Sequence, residues 1–159
     1  MNHDFLEIIR YATKAPSGHN TQPWRFCLEE NAINVKPNFE VALPVVDSDN
    51  RELFISLGCA TENLSISAAH FGYENQVIQC DKTAIKVVFS KSEKVTEDPL
   101  FYPIERRQNN RSVYSGRKIT DLQLEKLQSV IPGKGIKIYF AEIGSPFADT
   151  LTQYIVKGN

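Results

Sequence analysis

The sequence predicts an α+β fold in which an antiparallel sheet packs against one long apolar helix. Four short segments alternate apolar and polar residues, as half-buried strands do. Residues 50–71 form a long, mostly apolar stretch with helical spacing. No repeated βαβ pattern, which would indicate a parallel sheet, is present. We therefore expect one layer of strands with helices flanking it.

The composition indicates a soluble globular protein and excludes several classes. The chain has 159 residues, 42% of them hydrophobic, and a net charge of −1, so no overall charge would attract nucleic acid or an anionic membrane. No apolar run resembles a transmembrane helix or a signal peptide, and we expect a cytoplasmic protein. Cys27, Cys59 and Cys80 are odd in number and far apart, which indicates reduced, mostly buried thiols rather than disulfides or a zinc site.

The first two predicted elements are a short helix and an unusual loop. Residues 4–14 place apolar side chains on one helical face. The loop over residues 15–24 holds two prolines, one glycine and several small polar residues. Because proline fixes φ, glycine permits positive φ, and Ser17 and Asn20 can bond neighbouring amides, this loop can hold backbone N–H groups outward towards a flat polar ligand. The alternative is an ordered connection with Trp24 as a core anchor.

The next segments predict a hairpin, the long helix and two further strands. The predicted ranges are 24–29 and 33–36 for the hairpin strands, 50–71 for the helix, and 77–80 and 84–89 for the last two strands. Asp47 and Asp49 precede the helix and can cap it. Small residues along it, such as Gly58 and Ala60, would let a partner helix approach; the alternative is a buried core helix. Residues 90–103 are expected to be a linker or irregular crossover.

A cluster of arginines follows this predicted linker. Arg106, Arg107 and Arg111 lie within six residues, with amide side chains between them. Guanidinium groups at this density can bind a phosphate monoester through forked, charge-assisted hydrogen bonds. The alternative is a solvated basic turn. The remaining chain predicts a helix over 121–131, a strand over 135–141 and a helix over 145–156.

Both unusual stretches resemble parts of the nitroreductase family. The motif Pro16-Ser17-x-x-Asn20-x-Gln22-Pro23-Trp24, followed by a strand, is similar to the loop whose Pro-Ser backbone lies against the FMN ring in that family. Gly18 and His19 within it are more similar to the Acg-type branch, whose chains carry two tandem units. Arg107-x-Asn109-x-Arg111 resembles the phosphate-binding Arg-x-Ser-x-Arg segment of the family, with Asn109 in place of the usual Ser or Thr.

The resemblance implies a nitroreductase-like layered fold with one composite FMN site. We expect a first unit over 1–103 that lacks its own phosphate segment, followed by the start of a second, incomplete unit over 104–159. The implied cofactor-binding residues are Pro16, Ser17, Gly18, Asn20, Arg107, Asn109 and Arg111. The implied activity is that of an NAD(P)H oxidoreductase with a quinone or nitroaromatic acceptor, in which no side chain need act as acid or base. We also expect a homo-oligomer, because the small residues of the helix over 50–71 need a partner surface that the incomplete second unit cannot supply.

Other functions are weighed against this one. The main alternative is a noncatalytic flavin-binding protein. A serine hydrolase using Ser17 and His19 lacks the Gly-x-Ser-x-Gly motif. A metal site built from His3, His19 and His70 lacks ligand spacing, and a nucleic-acid module over residues 106–118 lacks a further basic face. We therefore expect no bound metal and no nucleic-acid partner.

Overall fold

The computed structural model describes residues 3–129 and 136–158. The chain divides into two compact units, a first unit of residues 1–109 and a second unit of residues 110–159. The helices are α1 (His3–Ala12), α2 (Arg51–His70), α3 (Asp121–Ser129) and α4 (Pro146–Gly158). The strands are β1 (Trp24–Leu28), β2 (Ala32–Pro37), β3 (Tyr73–Cys80) and β4 (Ile85–Lys91). Short 3-10 turns cover Gly18–Asn20 and Phe39–Val41.

The four strands belong to the first unit and form one antiparallel sheet in the order β1-β2-β4-β3. β1 and β2 pair as a hairpin, with Phe26 opposite Val35. A bulge between Val77 and Gln79 interrupts the pairing of β3 with β4. The sheet and its flanking helices confirm the predicted α+β fold.

The core of the first unit lies between α1, α2 and one face of the sheet. The largest fully buried apolar side chains are Ile8, Ile33, Val35, Leu57, Leu64 and Val87. On α2, Ala60 is buried in this core, whereas Gly58 lies on the exposed side of the helix. The small residues of α2 therefore do not form a single surface, and α2 is a core helix of this unit.

A buried carboxylate marks the start of α2. Asp47 is only 5% exposed, and its two oxygens accept the amide hydrogens of Glu52 and Leu53, each at 2.9 Å. The first amides of a helix have no partner within the helix, and a negative charge there also favours the helix dipole. The structure confirms Asp47 as the cap. Asp49 is exposed and accepts one amide hydrogen, from Arg51 at 3.2 Å.

The segment after β4 is packed rather than a free linker. Phe101 and Ile104 are 5% and 6% exposed and form a small cluster with Ile66 of α2 and Tyr11 of α1. The ring of Phe101 also stacks on His70, with 3.7 Å between ring centroids. The prediction of a linker or irregular crossover over 90–103 did not include these contacts, because few apolar residues stand among the charged ones there. We call residues 97–109 the arm segment.

The second unit contains α3 and α4 but no strand within its described residues. The predicted strand over 135–141 is wrong for residues 136–141, which are exposed and unpaired. A strand is stabilised by pairing with another strand, and the described part of this unit offers none. Residues 130–135, which include the end of the predicted helix 121–131, lie outside the described residues. No described residue of this unit is buried.

The cysteines differ from their predicted burial. Cys27 and Cys80 are exposed on the edge strands β1 and β3, and Cys59 is half-buried. Cys27 alternates along β1 with Phe26 and Leu28, which pack on the core, so its side chain lies on the outer face of the sheet. All three are free thiols. Within the described ranges, no helix is long and apolar enough to cross a membrane.

Candidate functional site

The candidate site begins with the predicted loop over residues 15–24, which leads from α1 into β1 and which we call the Pro-Ser loop. The amide of Asn20 donates to the carbonyl of Ser17, and the amide of Thr21 donates to the carbonyl of Gly18, both at 3.0 Å. The amide of Gln22 donates to Ser17 Oγ at 2.9 Å. Ser17 therefore closes the loop through both its carbonyl and its hydroxyl, as expected for a serine that bonds neighbouring amides.

Three non-glycine residues in this loop adopt left-handed backbone conformations. The φ angles are 49° at His19, 57° at Asn20 and 50° at Gln22. Histidine and asparagine tolerate this region better than most residues, but each such residue still costs on the order of 1 kcal/mol or more. Conformations of this kind persist only where surrounding contacts impose them, and they cluster at binding sites. This clustering makes the loop a candidate site on structural grounds.

Gly18 does not adopt a positive φ, but it lies close to α2. We expected Gly18 to permit a positive φ, but the positive values fall on the residues after it. A Cβ atom at position 18 would lie 3.2 Å from Glu52 Oε2 and 3.6 Å from Leu43 Cδ1. The amide of Gly18 donates to Ser56 Oγ at 3.3 Å. Glycine thus lets the loop lie directly against the first turns of α2.

The amide N–H of Ser17 and the side-chain amide of Asn20 have no hydrogen-bond partner among the described residues. Ser17 is half-buried and Asn20 is exposed, while Pro16 offers no N–H at all. Of the expected outward-facing donors, the amide of Ser17 is thus available to a ligand, whereas that of Gly18 is bonded to α2.

A small, shallow cleft lies between the loop, the Phe39–Val41 turn and the start of α2. Its lining includes Gly18, Thr21, Leu43, Glu52 and Ser56. Of the predicted site residues, only Gly18 contributes to it. The cleft therefore lies on the α2 side of the loop, where Gly18 meets the helix.

Arg107 lies at the base of the same loop. Its Nη2 donates to the carbonyl of Lys14 at 3.4 Å, and its Nη1 donates to Asn109 Oδ1 at 3.0 Å. Lys14 follows α1 and stands two residues before Pro16. The structure thus brings Arg107 and Asn109 to the Pro-Ser loop, within one unit. A cation near the last carbonyls of a helix is also a common stabilising contact, so the same bond has a structural role.

Arg10 ties the arm segment to α1. Its Nη1 donates to Glu105 Oε1 at 3.0 Å, and its Nε donates to Glu7 Oε2 at 2.9 Å. Hydrogen bonds to Glu7 and then Glu105 raise the pKa of Arg10 further above its usual range, so the guanidinium stays charged. Together with buried Phe101 and Ile104, this ion pair places the arginines of the arm segment beside α1.

Not every predicted site residue is brought to the loop. Arg111 belongs to the second unit and is exposed. Arg106, in the arm segment, is exposed and its side chain has no hydrogen-bond partner among the described residues. The hydroxyl of Ser17 has no described hydrogen bond to His19, so the geometry shows no base for a serine nucleophile. No group of three metal-binding side chains occurs within residues 3–129 and 136–158.

Sequence reasoning missed the contacts that hold the loop. Ser56 is 38 positions away from Gly18, and Lys14 is 93 positions away from Arg107. No local motif marks either contact, because each joins elements that only tertiary packing brings together. The weak signal for Ser56 is a hydroxyl on a helix whose neighbours Leu53 and Leu57 are buried.

Part of the chain is similar in sequence to a protein that is named a nitroreductase. No protein-family model matches the chain. A Mycobacterium tuberculosis protein, provisionally named an NAD(P)H nitroreductase, is 33% identical over 70 residues, which cover 44% of this chain. The match spans only 20% of the length of that relative.

Similarity to solved structures is low in sequence. A nitroreductase-like protein from Streptococcus mutans is 14% identical, with a TM-score of 0.48, over 76% of this chain and 89% of that chain. A structure from Exiguobacterium sibiricum, provisionally described as a nitroreductase in complex with FMN, is 15% identical, with a TM-score of 0.46, over 70% of this chain and 87% of that chain.

Proposed function

We propose that this chain holds FMN between the Pro-Ser loop and the arm segment, as part of an NAD(P)H oxidoreductase of the nitroreductase type. The observation that carries the proposal is the hydrogen bond from Arg107 to the carbonyl of Lys14, which joins the candidate phosphate-binding group to the candidate ring-binding loop. The two bonded residues are 93 positions apart in the sequence. The name of the Mycobacterium tuberculosis relative supports the same activity.

The donors that the first unit offers fit the two ends of a flavin nucleotide. The amide of Ser17 and the side chain of Asn20 can bond the polar edge of a flat ring. A guanidinium has five N–H donors, and the described hydrogen bonds of Arg107 leave others for a phosphate. Of the residues that the resemblance implies, we assign Pro16, Ser17, Gly18 and Asn20 to the ring and Arg107 and Asn109 to the phosphate. Gly18 contributes by shaping the loop.

Bound FMN would supply the hydride-transfer chemistry, and the residues of the chain would bind and orient it. We propose NADH or NADPH as the electron donor and a quinone or nitroaromatic compound as the acceptor. We also propose that the protein is cytoplasmic, that it forms a homo-oligomer and that it belongs to the Acg-type branch. Sedimentation at micromolar concentration tests the oligomer, since a stable monomer would contradict it.

A noncatalytic flavin-holding protein is the second candidate. The exposure of Asn20 and Arg107 favours it, because hydride chemistry needs a site from which water is excluded. Anaerobic addition of NADH or NADPH separates the two candidates. The oxidoreductase predicts that the yellow colour of bound flavin is bleached and returns when a quinone is added, whereas the holding protein predicts no bleaching.

Arg107→Ala provides the test of the composite site. Loss of one charged phosphate contact should weaken FMN binding by about tenfold or more, while riboflavin, which has no phosphate, should bind almost as before. Arg106→Ala is the matched control, since Arg106 is its exposed neighbour. Equal losses for FMN and riboflavin, or equal effects of the two substitutions, would contradict the assignment of Arg107 to the phosphate.

A further inference from the structure

We infer that Ser56 is a positioning residue of the proposed flavin site, an inference that rests on the proposed function. Ser56 lies in α2 and is only 3% exposed. Its Oγ accepts the amide hydrogen of Gly18 at 3.3 Å and donates to the carbonyl of Glu52 at 2.8 Å. A buried hydroxyl of α2 thus binds the backbone at the centre of the Pro-Ser loop.

The two hydrogen bonds of Ser56 fix the direction of its hydroxyl. Because the hydrogen is donated to the carbonyl of Glu52, a lone pair remains for the amide of Gly18. The amide of Gly18 is therefore turned towards α2, and the preceding amide, of Ser17, is left as a donor for a ligand. Ser56 would select which backbone N–H of the loop faces the flavin ring.

Ser56 also holds the strained part of the loop. His19 and Asn20, which follow Gly18 directly, have φ angles of 49° and 57°. Such conformations persist when neighbouring contacts over-determine them. The far end of the loop is bonded separately, by the amide of Asn38 to the carbonyl of Pro23 at 2.9 Å. Without the hydroxyl of Ser56, the amide of Gly18 would lack its partner and the turn that follows could relax.

The expected effect of Ser56→Ala on flavin binding differs from that of Arg107→Ala. Ser56 acts on the loop assigned to the ring, which FMN and riboflavin share, whereas Arg107 is assigned to the phosphate, which only FMN carries. Ser56→Ala should therefore weaken both flavins by a similar factor, about fivefold for the loss of one hydrogen bond, and leave their affinity ratio unchanged. The visible absorption band of the bound flavin should shift as well, because the donors around the ring change.

The experiment compares three variants of the full chain by titration with FMN and with riboflavin, followed by fluorescence and visible absorption. Ser56→Thr keeps a hydroxyl and should bind like the wild type; Thr61 of the same helix already donates to the carbonyl four residues earlier, at 2.9 Å. Ser67→Ala is the matched control, since Ser67 is a fully buried serine of α2 whose hydroxyl donates to the backbone carbonyl of Asn63 at 2.7 Å. It has no described contact with the loop.

The outcomes separate this inference from the proposed function. Weaker binding of both flavins and a shifted band in Ser56→Ala, with Ser56→Thr and Ser67→Ala like the wild type, support the inference. If the wild type binds flavin and Ser56→Ala binds it equally well, or if Ser56→Thr fails in the same way as Ser56→Ala, the positioning role is wrong while the proposed function stands. Absence of flavin binding by the wild type would overturn both.

Discussion

The two units of the chain are held together in different ways. In the first unit, side chains from α1, α2 and all four strands are buried in one core, and α2 begins with a buried carboxylate cap. In the second unit no described side chain is buried, and large apolar residues such as Tyr139 and Tyr154 are 71% and 70% exposed. The first unit therefore contains both the packing that stabilises the fold and the strained loop that makes a candidate site.

The comparison shows how far local sequence preference alone can define structure. α3 has nine residues, fewer than the roughly 12–15 below which an isolated helix is marginal in water. α1 is almost as short, with ten residues, but it buries Phe5, Ile8 and Ala12 against the rest of its unit. Most helical stability in proteins comes from such packing. We expect substitutions in the two units to differ accordingly.

The largest difference in the free energy of unfolding is expected between Leu57→Ala and Leu122→Ala. Leu57 is fully buried in the core of the first unit, and its truncation should lower the free energy of unfolding by about 2–5 kcal/mol through lost burial and a cavity. Leu122 is 76% exposed in α3, and its truncation should cost no more than about 0.5 kcal/mol. Denaturant unfolding measures both. Similar losses would contradict the contrast between the units.

The arm segment provides the next comparison, between neighbouring aromatic residues. Phe101 is 5% exposed and stacks on His70, so Phe101→Ala should destabilise the first unit by about 3 kcal/mol. Tyr102 is 58% exposed, and Tyr102→Ala should cost less than about 1 kcal/mol. Thermal melts of the two variants measure the difference. If both were nearly neutral, the segment would be the free linker that the sequence predicts.

Asp47→Asn should have a somewhat smaller effect, about 2 kcal/mol, because an amide has only one oxygen to accept the two amide hydrogens that the carboxylate holds. Asp49→Asn, at an exposed residue with a single such bond, is the control and should change stability by less than about 0.5 kcal/mol. The denaturant concentrations at which the two variants are half unfolded measure this difference. If the two substitutions lowered the stability equally, the buried cap at Asp47 would contribute no more to it than the exposed Asp49 does.

The smallest expected effect is a pH dependence at the arm segment. Hydrogen bonds from His70 and then Tyr102 hold the pKa of Glu97 below its usual value. Because the folded state lowers this pKa, its contribution to stability is present above the unfolded value of about 4.3 and is lost as the pH falls through the lower folded value. Melting temperatures between about pH 6 and pH 3 should therefore fall less steeply for Glu97→Gln than for the wild type.

Glu93→Gln is the control for this titration, since Glu93 is exposed and its side chain has no hydrogen bond among the described residues. The same acid slope in the wild type and in Glu97→Gln would show that the contact with His70 does not contribute. The two partners are exposed enough for solvent to screen them, so the effect should be modest.

The sequence predicted those parts of the fold in which local pattern and packing agree. Strand β2 alternates Ile33 and Val35 towards the core, and α2 follows a predicted cap at Asp47, so periodicity and capping sufficed. Residues 136–141 are also mostly apolar and aromatic, but a strand needs a pairing partner that their own sequence does not specify. Pattern alone does not reveal which strands a segment will meet.

The candidate site, like the fold, was predicted only in part from the sequence. The loop was predicted because its prolines, glycine and small polar residues stand together in the sequence. The contacts that shape it were not, because Gly18 meets Glu52 and Ser56 only after α2 packs beneath the loop. The role of Gly18 changed for this reason, from a residue that permits positive φ to one that leaves room for a neighbouring helix.

The central claim is that this chain binds FMN, and a visible absorption spectrum tests it most directly. Purified chain would be incubated with excess FMN, freed of unbound flavin by gel filtration, and scanned. We expect the flavin band to elute with the protein, and to be much weaker for Arg107→Ala than for Arg106→Ala at the same concentration, as the contact of Arg107 with the loop implies. A wild-type chain that elutes without any flavin band would contradict the claim.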